Sequence, residues 1–296
     1  MRFNVRHTTR YRYSNPVTLG PQTLRFRPRD GAGQRCIAHT LSIDPQPVGR
    51  TEQLDAEGNA TEVVWFKGKT DRLRITALLT VEIVRENPFD FLVETNEMPV
   101  DYGDFGALLI PSMARVPGKI PAGDPVAKLA ASLREKNPAP ISFLTALNDE
   151  IHRRCPVRYR ETGEPFTPAE VLEGGGACRD LAVLFIDACR TQDLACRFVS
   201  GYTSPPEEGG EPELHAWAEV FLPGGGWRAF DPTRGLAVAD RHVTVTASAD
   251  PQFCMPISGG FSGQAETTID FDLDVVMTEG VSYSQMPSQS QQSQQQ

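Results

Sequence analysis

A run of glycines followed by a strongly apolar helix pattern is the segment that decides the fold. Residues 174–191 read GGGACRDLAVLFIDACRT. Two apolar stripes recur at helical spacing, one made of Leu181, Leu184, Phe185 and Ala188 and the other of Ala182, Ile186 and Cys189. A helix that is apolar on more than one side is buried among other elements. The segment therefore predicts a central helix from Cys178 to about Thr191.

Cys178 stands where this helix begins, and that position has chemical consequences. The first backbone N–H groups of a helix lack partners within it, and the helix dipole favours negative charge there. Such a place lowers the pKa of a thiol and raises its thiolate fraction. The same N–H groups can hold the oxyanion that forms when a thiolate attacks a carbonyl. The pattern favours a nucleophile, although a lone cysteine at a helix start is also compatible with a buried structural thiol.

A β-hairpin further along the chain supplies a histidine and an aspartate. Strand-like segments at 215–222 and 227–231 flank a Pro- and Gly-rich turn at 223–226. Antiparallel pairing about that turn puts His215 opposite roughly residues 231 to 233, so Asp231 is its facing or diagonal neighbour. A carboxylate beside an imidazole fixes the tautomer and stabilises the charged form of the ring.

These three residues together suggest a catalytic arrangement. Taken singly, His215 is compatible with a satisfied strand residue and Asp231 with a turn residue before Pro232. Taken in order with Cys178, they offer a nucleophile, a base that takes the thiol proton and returns it to a leaving group, and an acid that orients the base.

The rest of the chain predicts an α+β protein in two parts. Alternating polar and apolar residues at 3–13 and 23–27, with a β-branched run at 75–84, indicate a β-sandwich over residues 1–95. A Pro- and Gly-rich segment at 96–123 is predicted to connect it to a core. That core, with its closing strands, is predicted over 124–280, and a Ser- and Gln-rich tail at 281–296 is predicted to be disordered.

Three helices of the core are predicted from capping residues and from prolines at the first helical position. Asp124 precedes Pro125 as an N-cap, a second helix is expected from about Pro140 to Arg154, and Thr167 with Glu170 matches a capping box. Strands are then predicted near 196–202, 241–247 and 267–277.

Composition excludes several classes of function. The 296 residues carry a net charge of -9, whereas a general nucleic-acid binder needs excess basic charge. No apolar run is long enough to span a bilayer, and no apolar segment follows the basic N-terminus, so no membrane partner and a cytoplasmic location are expected. The six cysteines include no CxxC pair, which predicts reduced thiols. No metal or other cofactor is predicted; oligomeric state is left open.

Four segments resemble the signature blocks of the bacterial transglutaminase-like family. They are 176–182 (GACRDLA), 198–202 (FVSGY), 215–220 (HAWAEV) and 226–233 (GWRAFDPT). Residues 7–13 and 55–59 are similar to the β-rich N-terminal domain that accompanies this core. Residues 240–243 and 259–263 resemble the strands that close it.

The resemblance implies a papain-like transglutaminase core, with helices packed on an antiparallel sheet. It implies that Cys178 is the nucleophile, His215 the general base and acid, and Asp231 the orienting acid. The implied reaction is attack on an amide to give a thioester, which is then hydrolysed by water or transfers its acyl group to an amine. The implied substrates are peptides or proteins. Tyr159 is a candidate oxyanion donor and Trp217 a candidate wall of the site, and both are also compatible with packing roles.

Two other functions stay open at this point. A noncatalytic binding module could keep the same cleft, although loss of a triad residue would be its usual sign. A zinc site could be built from Cys178, His215 and another thiol, although no close pair of ligands is present to nucleate it.

Overall fold

The computed structural model describes residues 1–31, 33–115, 123–158, 166–204 and 212–279. It has two packed units, a β-sandwich and a core in which helices cover an antiparallel sheet. The predicted α+β class is confirmed. None of the helices in these ranges is both long and apolar enough to cross a bilayer.

The sandwich is organised by its first strand, which takes part in both sheets. Residues 2–12 of β1 pair with one set of neighbours and residues 18–24 with another. The first sheet has the order β2-β5-β1-β12, and the second has the order β11-β1-β4-β3. The strand bounds are β1 (Arg2–Leu24), β2 (Gln34–Asp44), β3 (Gly49–Leu54), β4 (Ala60–Trp65), β5 (Thr70–Ile83), β11 (Ile257–Ser262) and β12 (Thr267–Thr278).

The first strand passes through a place where the sequence favours a turn. Asn15 and Pro16 lie within β1, between residues that pair on either side. The pairing with β5 shifts register between Arg12 and Val17, and the proline falls in that gap, where its missing N–H disrupts no ladder bond. The chain therefore continues as one strand through Asn15 and Pro16.

The last two strands return to the first unit, whereas they were expected to close the core. β12 pairs with β1 in the register Arg6 to Asp274 and Arg10 to Asp270. The Arg10 guanidinium donates to Asp270 at 2.9 Å and also pairs with Asp272. Opposite charges across an antiparallel pair stabilise the pairing. The predicted closing role is thus wrong for β11 and β12, whereas β10 (His242–Ser248) pairs with β6 (Cys196–Thr203) in the core sheet.

The core sheet has the order β10-β6-β7-β8-β9 and is covered by helices. The even-numbered residues Ala216, Ala218 and Val220 of β7 share an apolar cluster with α5. The bounds are α1 (Gly106–Met113), α2 (Pro125–Lys136), α3 (Pro140–Arg154), α4 (Pro168–Gly174), α5 (Cys178–Arg190), β6 (Cys196–Thr203), β7 (Leu214–Leu222), β8 (Gly226–Asp231), β9 (Leu236–Ala237) and β10 (His242–Ser248).

The helix starts confirm the sequence signals. Asp124 caps α2 by accepting the backbone N–H groups of Val126 and Ala127, and Thr167 forms the expected capping box with Glu170. The short helix α1 was not predicted. It lies in the segment expected to be a connection, where Pro111 sits inside the helix and the surrounding Pro and Gly residues favour a loop.

The two units share an apolar interface along β10 and β6. Tyr202, Val243 and Val245 belong to the same buried cluster as the sandwich core. Asn59 of the sandwich exchanges two hydrogen bonds with the backbone of Ala247, at 2.9 and 3.0 Å. The sandwich therefore braces the outer strand of the core sheet.

Candidate active site

The start of α5 is fixed by a close backbone crossing. Gly175 adopts φ +76°, and a Cβ there would lie 2.0 Å from the carbonyl oxygen of Pro156. The N–H of Gly176 donates to that same oxygen at 3.2 Å. One residue later the N–H of Ala177 donates to the carboxylate of Asp180 at 3.0 Å. Cys178 follows as the first residue of α5 and is partly exposed.

The hairpin has the predicted geometry. Leu222 pairs with Gly226 and Ala218 pairs with Phe230. Continuing this register sets Asp231 opposite Trp217 and diagonal to His215, as the turn position indicates. The side chains of His215 and Asp231 meet at 2.9 Å, from Nε2 to Oδ2.

His215 is a buried imidazole between an acid and a thiol. Its exposure is 4%. Burial alone lowers its pKa, but hydrogen bonds with Asp231 and then Cys178 raise the pKa of His215 to about 10. The structure therefore brings Cys178, His215 and Asp231 into one hydrogen-bonded chain, in which the imidazole is cationic at neutral pH.

Asp231 is completely buried and surrounded by donors. Its Oδ1 accepts the backbone N–H groups of Thr233 at 2.9 Å and Arg234 at 3.1 Å. Burial opposes its ionisation, but hydrogen bonds from His215 and His242 outweigh that penalty and hold the pKa of Asp231 well below its usual range. The carboxylate is thus a fixed negative charge at the centre of the site.

His242 is a member of the site that sequence reasoning missed. It is the first residue of β10, and its Nε2 lies 2.9 Å from the same Oδ2 that contacts His215. The alternating pattern at 241–247 gives the face of the strand. It does not give the neighbour of that strand in the sheet, so the contact with Asp231 has no signal in sequence.

Trp217 lies among these residues and is fully buried. Its ring stacks on His215, with centroids 6.2 Å apart, and presents an edge contact to His242 at 5.0 Å. A Cβ on Gly201 of β6 would lie 2.8 Å from the Trp217 ring and 1.9 Å from the carbonyl oxygen of Val243. The absence of a side chain at Gly201 therefore makes room for the indole beside the two imidazoles.

Two predicted features lie outside the described residues. They are Tyr159, the candidate oxyanion donor, and the Ser- and Gln-rich tail at 281–296 that was predicted to be disordered. The zinc alternative needs a second thiol beside Cys178. Within the described ranges, the group of three side chains close enough to share a metal is His215, Asp231 and His242, and it contains no cysteine.

The remaining cysteines differ from Cys178 in their surroundings. Cys155, Cys189, Cys196 and Cys254 are buried, and Cys36 is partly exposed in the sandwich. Burial raises the pKa of the Cys155, Cys189 and Cys36 thiols, and raises that of Cys254 to about 12. Protonated thiols are poor nucleophiles.

Known proteins resemble both units of this chain in sequence and in fold. Residues 3–82 match the family described as the bacterial transglutaminase-like N-terminal region, and residues 127–232 match the transglutaminase-like superfamily. An uncharacterized protein of Mycobacterium tuberculosis is 30% identical over 307 aligned residues, which cover 94% of each chain. An uncharacterized protein of Mycobacterium leprae is 25% identical, covering 93% of this chain and 97% of the relative.

A solved structure shares the fold over almost the full length. It is a candidate cysteine protease from Cytophaga hutchinsonii, with a TM-score of 0.71 and 20% identity, covering 95% of this chain and 92% of that one. The helix that carries Cys178 and the hairpin that carries His215 and Asp231 lie within or at the end of the matched core region. The chain belongs to the transglutaminase-like superfamily and carries its bacterial N-terminal region.

Proposed function

We propose that the protein is a cysteine-dependent amide-bond enzyme, a protease or amidase that hydrolyses peptide or isopeptide bonds through a thioester. Cys178 is the nucleophile, His215 the general base and acid, and Asp231 the orienting acid. The observation that carries the proposal is that the buried imidazole of His215 interacts with both partners at once, at 2.9 Å from Asp231 and in hydrogen-bond contact with Cys178.

The chemistry follows from the charges of these groups. The thiol proton already resides on His215, and the sulfur attacks the substrate carbonyl while a backbone N–H in the first turn of α5 donates to the developing oxyanion. The imidazolium then protonates the leaving amine, which departs as the thioester forms. Water adds to the thioester as His215 takes its proton, the acid product is released, and the sulfur leaves as a thiolate beside the protonated His215, which restores the starting state.

The rotation of the imidazole is set by Asp231. A carboxylate acceptor at Nε2 requires that this nitrogen carry the proton, so Nδ1 is the nitrogen that exchanges a proton with the sulfur. An Asp231 that is ionised and buried also stabilises the imidazolium that forms during the reaction.

The test is a product assay with and without a competing acceptor. The protein is incubated with a peptide library, with and without a primary amine, and products are identified by mass. Cleavage with addition of water supports hydrolysis. Amine adducts would assign the alternative function, transglutaminase-type acyl transfer. Peptide retention without any product would assign a noncatalytic peptide-binding module.

Cysteine variants separate the thiol mechanism from any other. Cys178→Ala and Cys178→Ser are expected to abolish turnover with the fold intact. Cys36→Ser is the matched control, because Cys36 is the other partly exposed thiol among the six cysteines and lies in the sandwich. Turnover that survives in either Cys178 variant would contradict the proposed mechanism.

A further inference from the structure

We propose that His242 is a positioning residue, which holds the carboxylate of Asp231 against His215 from the outer strand of the core sheet. The proposal rests on the proposed function, because it adds a fourth member to the same site. It begins from one contact, 2.9 Å between Nε2 of His242 and Oδ2 of Asp231.

The two carboxylate oxygens of Asp231 accept hydrogen bonds from different groups. Oδ1 is held by two backbone N–H groups of the loop that follows β8, and Oδ2 by two imidazoles, one from β7 and one from β10. An ionised carboxylate only accepts hydrogen bonds. Both rings must therefore carry a proton on Nε2, and His242 is a second donor on the very oxygen that orients His215.

The charges around His242 keep it a neutral donor. It faces Asp231, His215 with ring centroids 6.1 Å away, and Arg234, whose Nε lies 4.0 Å from Oδ2 of Asp231. Burial lowers the pKa of His242, and the hydrogen bond with Asp231 only partly offsets this, since His215 and Arg234 repel a further cation. A neutral donor fixes the oxygen without cancelling the negative charge that His215 needs.

A packing role alone accounts poorly for this side chain. His242 is 3% exposed, and its Nδ1 is buried without a hydrogen-bond partner within the described ranges. Burying an unpaired polar atom costs free energy, so an apolar side chain would fill the same space at a smaller cost. The Nε2 bond to Asp231 is the contact that an apolar side chain could not make.

Neighbouring residues constrain both the ring and the backbone of His242. The edge contact with Trp217, at 78° between ring planes, closes one side of His242. On the backbone, His242 pairs with Thr203 of β6, whose hydroxyl accepts from Arg234 at 2.7 Å. Since β10 is itself braced by the sandwich, the orientation of the acid depends on how the two units pack.

The experiment measures the reactivity of Cys178 toward iodoacetamide as a function of pH, which needs no knowledge of the substrate. The labelled peptide is quantified by mass in the wild type and in four variants. His242→Leu removes the donor, and His242→Gln restores an amide N–H at similar reach. His215→Ala reports on the proposed function itself, and His39→Gln controls for loss of a histidine in the sandwich.

We expect His242→Leu to lose Cys178 reactivity and the amide donor of His242→Gln to restore most of it. His242→Leu lowers the alkylation rate near pH 6.5 by about tenfold, the size of one lost hydrogen bond to a charged group. It also moves the acid limb of the profile toward higher pH, because a misaligned imidazolium stabilises the thiolate less. His242→Gln returns to within about threefold of the wild type, and His39→Gln has the wild-type profile.

Other outcomes overturn the proposal in distinguishable ways. If His215→Ala slows alkylation but His242→Leu does not, the positioning role fails and the proposed function stands. If His242→Leu and His242→Gln are equally slow, the side chain acts by packing and the positioning role fails. If His215→Ala leaves Cys178 as reactive as in the wild type, the proposed function itself fails.

A measurement on the unaltered protein guards against a variant that does not fold. Long-range ¹H–¹⁵N correlation spectra report which imidazole nitrogen carries the proton. We expect His242 to be neutral with its proton on Nε2 at pH 7, while His215 is doubly protonated. A proton on Nδ1 of His242 would overturn the proposal.

Discussion

The two units of the molecule each bury a histidine, and the two rings have opposite acid–base behaviour. His7 of the sandwich is 3% exposed and His215 of the core is 4% exposed. Within the described residues, the hydrogen-bond partners of His7 are neutral, the hydroxyl of Tyr202 at 3.0 Å and that of Thr9 at 3.2 Å, and burial lowers the pKa of His7 to about 4. The pKa of His215 is instead raised to about 10.

The difference teaches that burial does not decide whether a histidine is neutral or charged. Burial disfavours the charged form of both rings. What separates them is one ionised carboxylate: the neutral hydroxyls beside His7 satisfy its nitrogens without supporting a charge, whereas Asp231 holds His215 as a cation next to Cys178.

Removing that carboxylate should make the core histidine behave like the one in the sandwich, and this is the largest effect we expect. In Asp231→Asn the backbone bonds to the side-chain oxygen can persist, but the charge is gone. The pKa of His215 should fall from about 10 to 6.5 or below, read from its imidazole resonances during a pH titration. Alkylation of Cys178 at pH 7 should slow on the order of a hundredfold. His7 should titrate unchanged, and a His215 still protonated at pH 8 would contradict the comparison.

The aromatic residues that pack on His7 and His215 offer a second test of the comparison between the two histidines. His7 is enclosed by Phe26 at 5.2 Å, whereas His215 is covered by Trp217, whose ring lies over Gly201. Gly201→Ala would place a Cβ 1.9 Å from the carbonyl oxygen of Val243, so β6 and β10 must move apart.

We expect this change to lower the free energy of unfolding by about 3 kcal/mol, as for overpacking in a core, and to slow alkylation of Cys178. Urea unfolding gives the first quantity. Gly260→Ala is the matched control, because nothing lies within 4 Å of a Cβ at that strand position. Equal stability of the two variants would show that the Trp217 site tolerates a methyl group.

Acid should destabilise the protein through His7. The folded pKa of about 4 lies below the ordinary 6.5, so the unfolded chain binds the proton more readily. The stabilisation from His7 is therefore complete above pH 6.5 and is lost as the pH falls toward 4. At pH 5 the loss is about 2 kcal/mol.

Comparison of two unfolding series isolates that contribution. The wild type and His7→Gln are unfolded in urea at several values between pH 7 and pH 4. Gln keeps a group that bonds the hydroxyls but does not titrate, so the acid limb should be flatter in the variant. Parallel curves would remove His7 as a source of acid sensitivity.

The smallest effect should come from making the sandwich histidine resemble the core one. Thr9→Asp sets a carboxylate near Nε2 of His7, where the threonine hydroxyl now lies. A nearby opposite charge raises the pKa of a histidine, here by about one unit. Thr9→Asn is the uncharged control. A His7 that titrates identically in both variants would show that burial dominates there.

Much of the site could be predicted because it depends on local patterns. The glycines and the two apolar stripes indicate α5 and place Cys178 at its start, and the Pro- and Gly-rich turn sets the register that brings Asp231 to His215. These are relations between residues joined by one helix or one hairpin. Periodicity and turn chemistry describe such relations directly.

Other parts could not be predicted because they depend on strand order. A strand has the same alternation whichever strand it lies beside, so nothing in residues 267–278 distinguishes closing the core from pairing with β1. The helix α1 was not predicted for a local reason, since Pro111 and its neighbours favour a loop.

The amino-acid sequence by itself determined the α+β class, the helix that begins at Cys178 and the hairpin that joins His215 to Asp231, since each is encoded by spacing within a short segment. Only the tertiary structure decided that β10 lies beside β6, that His242 shares an oxygen of Asp231 with His215, and that Trp217 fits over Gly201. The physical reason is that these contacts join separate strands, whose neighbours are fixed by the packing of the whole sheet and of the sandwich against it.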